Sequence, residues 1–121
     1  MDKSLSGTRV LVVEDEMMVL MLIEDVLADF GCESVSTAAT VDQALALIDA
    51  QGFDLAMLDV NLNGHKSYPV ADALAARGVP FFFSTGYSDH GMRDLYPDRP
   101  VLNKPFQSER LVEMLTRLLS R

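Results

Sequence analysis

The chain has 121 residues, enough for one domain with its own core and too few for two. Hydrophobic residues make up 49% and charged residues 23%, the balance of a soluble globular domain and not of a disordered chain. The net charge of -8, with only ten scattered Lys and Arg, argues against direct nucleic-acid binding, which needs clustered cations to neutralise phosphates.

The elements follow in chain order. Thr8 to Val13 reads as a buried strand that breaks at Glu14-Asp15-Glu16, where acids suit the first turn of a helix. Val19, Leu22, Ile23, Val26, Leu27 and Phe30 then recur at helical spacing until Gly31. Ser34 to Ala38 is a weaker second strand, and Thr40 caps a helix with Ala44, Leu45 and Ile48 inward and Gly52 at its end. Leu55 to Leu58 is a third strand, terminated by Asp59; Asn61 to Pro69 reads as a loop made flexible by Gly64, and Val70 to Ala76 as a short helix closed by Gly78. Pro80 to Phe83 is a fourth strand ending in Ser84-Thr85-Gly86. Gly91 and Pro97 weaken any helix between 88 and 97. Pro100 to Leu102 is a fifth strand, and Ser108 caps a last helix with Leu111, Met114, Leu115 and Leu118 inward.

This alternation implies an α/β fold, a (βα)5 doubly wound parallel sheet of order 2-1-3-4-5 covered by helices on both faces. The lone Cys32 leaves no internal disulfide; after Phe30-Gly31 it reads as a small half-buried turn residue in preference to a redox thiol. Residues 1–8 are polar, with no signal peptide, and the longest apolar runs fall far below the roughly 20 residues that span a bilayer. A cytoplasmic location without membrane insertion is expected.

In such sheets ligands bind at the carboxyl ends of the strands, near the switch in strand order. Glu14 and Asp15 collect there from the first strand, Asp59 from the third, Thr85 from the fourth and Lys104 from the fifth. Taken singly, each has a plain reading: helix-start acids, a turn residue, a strand-end hydroxyl, a solvated lysine. Together, three carboxylates would repel one another, and a hard divalent cation such as Mg2+ resolves the repulsion. The hydroxyl and the ammonium complete a site for a tetrahedral oxyanion.

Four segments, Leu11-Val12-Val13-Glu14-Asp15-Glu16, Leu58-Asp59-Val60-Asn61-Leu62, Ser84-Thr85-Gly86 and Asn103-Lys104-Pro105-Phe106, resemble the receiver domains of two-component response regulators. The resemblance covers residues 8–120 and implies a flavodoxin-like receiver fold occupying 1–121 as a single domain. It implies that Asp59 is the aspartate phosphorylated by a histidine kinase or phosphotransfer protein, with Glu14 and Asp15 as the acidic pair for Mg2+, for which Mn2+ or Ca2+ can substitute. It further implies that Asn61 gives a backbone carbonyl to the metal, that Thr85 is the switch hydroxyl and Lys104 the phosphate-side lysine, and that the Lys104-Pro105 bond is cis. The chain is then a signalling switch and not an enzyme acting on other substrates.

Two departures bear on the readout. Val101 stands where many receivers carry Tyr or Phe, so the usual aromatic swing behind Thr85 is not available. Phe83-Ser84-Thr85-Gly86-Tyr87 is similar to the Phe-Ala-Thr-Gly motif of a receiver subgroup that lacks that aromatic and is linked to HWE-type histidine kinases. Gly86 and Tyr87 then belong to a different relay, reordering with 88–97 on phosphorylation. The loop after Asp59 carries Asn63-Gly64 in place of the usual Pro, with His65, Lys66 and Tyr68 beside the site; His65 and His90 read as solvated, with no second ligand at metal spacing.

A haloacid-dehalogenase-like phosphatase also uses an Asp nucleophile with Mg2+, but it needs Asp-x-Asp where this chain has Asp59-Val60-Asn61. A flavodoxin-like electron carrier lacks support in any phosphate loop after the first strand, and a glycine-rich P-loop is absent. The intact residue set argues against a degenerate receiver. With the last helix running to Ser120-Arg121, output is expected through protein binding or as a phosphate sink. A receiver excised from a hybrid kinase is an alternative, although Met1 with a polar lead reads as a natural start.

Overall fold

The computed structural model describes residues 7–85, 99–104 and 106–119. The five core strands are β1 (Arg9–Val13), β2 (Ser34–Ala38), β3 (Leu55–Asp59), β6 (Phe81–Thr85) and β7 (Val101–Asn103), and β4 (Asn61–Leu62) and β5 (His65–Lys66) form a small hairpin between the third and fourth. Among the described residues the helices are α1 (Met17–Asp29), α2 (Val41–Ala50), α3 (Tyr68–Ala76) and α4 (Ser108–Leu119). All four pairings of the main sheet are parallel, in the order β2-β1-β3-β6-β7, which is the expected 2-1-3-4-5.

The central strands β1, β3 and β6 are buried on both faces because both faces are covered. Val10, Val12, Leu55, Met57, Phe82 and Leu102 meet Ile23, Val26 and Leu27 of α1 and the expected face of α4, Leu111, Met114, Leu115 and Leu118. The alternate residues Leu11, Val13, Ala56, Leu58, Phe81 and Phe83 meet Ala44 and Ile48 of α2 and Val70 and Leu74 of α3. Phe81, Phe82 and Phe83 are all fully buried, each contributing roughly 2–3 kcal/mol of apolar burial. Phe81 and Phe83 meet edge to face at 5.5 Å, and the Arg99 guanidinium lies 4.2 Å from the centre of the Phe81 ring.

The α1 pattern is corrected at one position. Leu22 faces solvent with Met17, Met18 and Met21, while Ile23, Val26 and Leu27 are buried and Val19 and Phe30 pack half-buried against the same core. Helix α1 closes as expected at Gly31 (φ 82), where Gly31 N–H bonds Ala28 O and Cys32 N–H bonds Leu27 O, the paired bonds of a left-handed cap. Cys32 is buried, and its thiol points at Thr8 O and Ser34 O.

The stretch expected to be a flexible loop is ordered. Asn63 (φ 52) and Gly64 (φ 88) are both left-handed, the pair that a two-residue hairpin turn requires, and Asn61 Oδ1 accepts from Gly64 N–H at 2.8 Å. Helix α3 begins at Tyr68, two residues earlier than expected, because Pro69 is compatible with a first helical turn. Thr40 caps α2 as expected, accepting from Gln43 N–H at 3.1 Å. Ser108 is not a cap: the first bond of α4 runs from Leu111 N–H to Gln107 O, so Gln107 holds that position. Gly86, Tyr87, residues 88–97 and Pro105 lie outside the described residues, and with them the expected relay and the cis bond.

Candidate functional site

Strand order decides which side chains meet. Strand β1 lies between β2 and β3, so the residues that leave β1 and end β3 are neighbours at the carboxyl edge. Glu14 continues the ladder by donating its N–H to Ala38 O, and its side chain turns into the edge, 2% exposed. Asp59 ends β3 at 5% exposure and sits in register with Ser84 of β6. Glu14, Asp15 and Asp59 each present a carboxylate oxygen within 4.8 Å of the others.

The helix-dipole explanation of the acids fails here, because the first turn of α1 holds no acid. Glu16 is the N-cap residue, and Glu14 and Asp15 lie before the helix. Their side chains are therefore free to serve the pocket.

Lys104 follows β7, and its N–H bonds Thr85 O at 2.7 Å. Its ammonium reaches Asp59 Oδ2 at 2.9 Å, Glu14 Oε1 at 3.1 Å and Glu16 Oε1 at 3.1 Å. Asp59 Oδ1 accepts from Asn61 N–H at 3.2 Å, and Glu14 Oε2 accepts from Glu16 N–H at 3.1 Å. Thr85 is buried at the end of β6, one strand from Asp59.

One ammonium does not balance the buried acids. Burial, and next the charge of Asp59, push the Glu14 carboxyl from 4.5 to about 7. Burial also raises Asp59, against the opposing pull of Lys104. Burial works against the Lys104 ammonium, yet its hydrogen bond to Asp59 and the charge of Glu14 outweigh it and raise the lysine above its ordinary value. An all-oxygen set of converging carboxylates with surplus negative charge fits a hard divalent cation. It also leaves a cationic flank, at Lys104, for an anion bound beside that cation.

Residues 10–116 match the sequence profile described as the response regulator receiver domain. The chain belongs to that family. Among solved structures, the receiver is 48% identical to SdrG from Sphingomonas melonis Fr1, with a TM-score of 0.82 over 93% of this chain and 96% of that one. It is 30% identical to the PhyR receiver domain of Erythrobacter litoralis, with a TM-score of 0.78 over 95% and 92% of the two chains. The curated relative PdtaR, a transcriptional regulatory protein of Mycobacterium tuberculosis, is 26% identical over 93% of this chain and 57% of its own length. The receiver thus spans little more than half of that relative, and 36% of YvrH from Bacillus subtilis.

The receiver brings together the residues read from its sequence: Glu14, Asp15, Asp59 and Lys104 in one cluster, with Thr85 at the adjoining strand end. Val101 is half-buried against Phe83, an aliphatic packing residue with no ring to swing. His65 and Lys66 form the second strand of the hairpin, with Lys66 paired to Asn61. They line a groove with Ala39, Thr40, Val41 and Asp42 that shares no residue with the acidic cluster. Tyr68 opens α3 and packs edge-on against Phe83 at 6.5 Å. Sequence reasoning gave Glu16 no role beyond a helix-start acid; its contact with Lys104 spans 88 positions and has no local signal.

Proposed function

We propose that the receiver takes a phosphoryl group from a phosphohistidine onto Asp59 and that the resulting acyl phosphate is its signal. The observation that carries this reading is the Asp59 carboxylate itself, buried at a strand end, 2.9 Å from the Lys104 ammonium and grouped with Glu14 and Asp15. In the transfer, the N–P bond of the donor breaks and an Asp59 Oδ–P bond forms. The imidazole leaves with the electron pair of the broken bond. Lys104 holds a non-bridging phosphoryl oxygen, and the strand ends fix the nucleophile, so catalysis is positioning and charge neutralisation.

Glu14, Asp15 and Asp59, with the carbonyl of Asn61, are the groups to hold Mg2+, and Mn2+ or Ca2+ are substitutes of the same hard-cation class. The cation supplies charge neutralisation at the phosphoryl oxygens. Hydrolysis of the acyl phosphate by water restores the carboxylate. Thr85 is the hydroxyl that turns towards the added charge, and its strand leads into Gly86 and Tyr87, which carry the change onward.

The donor is a histidine kinase, HWE-type on the strength of Phe83-Ser84-Thr85-Gly86, or a phosphotransfer protein, acting in the cytoplasm. An exposed apolar group on α1, Met17, Met18, Met21 and Leu22, begins one residue after the acidic turn and supports docking of such a protein over the site. Output passes to a protein partner, or the receiver drains phosphoryl groups as a sink. No helix among the described residues is long and apolar enough to cross a membrane. Incubation with radiolabelled phosphodonor and Mg2+ tests the assignment: wild type takes up label and Asp59→Asn does not. Equal labelling of the two proteins overturns it.

A further inference from the structure

Glu16 stands in the position that a helix-capping side chain should hold, and it caps nothing. It is the N-cap residue of α1 with extended backbone (φ -91, ψ 114), yet its carboxylate accepts no amide of the first turn. Glutamate is also not among the side chains that serve this position well, which are Ser, Thr, Asp and Asn. A local rule broken without local compensation points to a functional demand. The carboxylate lies instead 3.1 Å from Lys104 Nζ.

An ammonium has three donors. In the resting receiver the three partners are Glu14, Asp59 and Glu16, so Lys104 has no donor left for an incoming phosphoryl oxygen. One partner must yield during the encounter, before any bond to Asp59 has formed. Releasing Glu14 or Asp59 strands a buried carboxylate, with side-chain exposures of 1% and 6%. Releasing Glu16 does not, because its side chain is 62% exposed and rehydrates at once.

We propose that Glu16 is a positioning residue that acts through Lys104: it occupies the outward donor of the ammonium in the resting state and is displaced by the phosphoryl group, slowing entry of the anion. This rests on Asp59 being the phosphoacceptor. Removing Glu16 opens the donor and speeds phosphorylation. The Glu16–Lys104 pair is solvent-facing, so the gain is about two- to five-fold, the range of an exposed ion pair.

The test compares wild type, Glu16→Gln and Glu16→Asp at saturating Mg2+. Label uptake from acetyl phosphate gives the rate, with acetate as leaving group. The midpoint of beryllofluoride binding, followed by backbone amide NMR, gives anion affinity without transfer. Both variants label about two- to five-fold faster and bind beryllofluoride correspondingly tighter, because Gln lacks the charge and Asp lacks the reach. The gain shrinks between about 0.01 M and about 1 M salt, as the screening length falls from about 30 Å to about 3 Å. In metal-free protein the Lys104 side-chain nitrogen resonance shifts in both variants.

Unchanged or slower labelling in Glu16→Gln overturns the proposal, the slower result making Glu16 a helper of the cation. Faster labelling in Glu16→Gln with wild-type behaviour in Glu16→Asp also overturns it, since charge at a distance then suffices. If wild type takes up no label, the phosphoacceptor reading falls and this proposal falls with it; if wild type labels, only the role of Glu16 is at stake.

Discussion

Metal-free receiver becomes less stable as the solution is made more alkaline across neutrality, and Glu14 is the main cause. Its carboxyl is raised from 4.5 to about 7 by burial and by Asp59. A group with a raised folded value holds its proton more tightly folded than unfolded, so the folded state carries the excess proton between those limits. Stability from this group is complete below 4.5 and is lost as pH rises through about 7. At about 1.4 kcal/mol per tenfold change, the whole span is worth roughly 3 kcal/mol. Asp59 is raised as well and adds loss of the same sign. Lys104 is raised above its ordinary range and stays charged throughout the window. Asp54, lowered by its hydrogen bonds to Arg9, weakens the fold only when acid protonates it, at the far end of the scale.

The assay is urea unfolding in chelator between about pH 4 and about pH 8, bracketing the two limits. With a slope of about 2 kcal/mol per molar urea, a loss of roughly 3 kcal/mol lowers the midpoint by about 1.5 M. Glu14→Gln removes most of that dependence. Added Mg2+ restores the midpoint at the alkaline end, where the carboxylates are ionised, and does little at the acid end, where a proton already neutralises the site. A midpoint that stays flat or rises with pH, or a Glu14→Gln variant with the wild-type slope, refutes the account of the site as a surplus of buried negative charge.

Three further outcomes follow from particular contacts. Arg77 Nη1 donates to Ile48 O at 2.6 Å, capping a carbonyl in the last turn of α2, so Arg77→Met lowers unfolding free energy by about 1–2 kcal/mol in urea. Ser84 is fully buried and its hydroxyl finds no partner among the described residues; Ser84→Ala leaves stability unchanged or raises it by up to ~1 kcal/mol, and a larger loss shows a hidden acceptor. A Cβ at Gly64 meets nothing within 4 Å, so Gly64→Ala carries only the strain of φ 88, about 1 kcal/mol by thermal or urea unfolding.

Strand order and the edge residues were legible because they depend on features that sequence carries locally. Apolar runs such as Leu55 to Leu58 are unbroken because both sheet faces are covered, and each run ends in a polar residue that topology then gathers. The hairpin at Asn61 to Lys66 had a signal that was misread, since Asn63-Gly64 is the dipeptide of a tight two-residue turn and not of a flexible loop. Leu22 fitted helical spacing but lies outside the arc that α1 buries, because a helix packed on a sheet hides only one stripe. Glu16 was invisible for a different reason: its partner is Lys104, and no local pattern couples residues brought together by the sheet.

The acidic edge would be a poor way to stabilise a fold. Two buried carboxylates share one half-buried ammonium, and both are raised towards neutrality by their surroundings. An apolar triad of similar volume would hold β1, β3 and β7 together at least as well. What the acids provide instead is a site with surplus negative charge; on the proposed function, a cation would cancel that charge and a phosphoryl oxygen would take over the ammonium. The same logic separates the roles of the Lys104 partners. Glu14 and Asp59 are held by burial and keep the ammonium at the site, while Glu16, open to water, can leave without stranding a charge. On the proposed function, instability stored at one edge of an otherwise well-packed sheet is what would make the receiver responsive to a single covalent change.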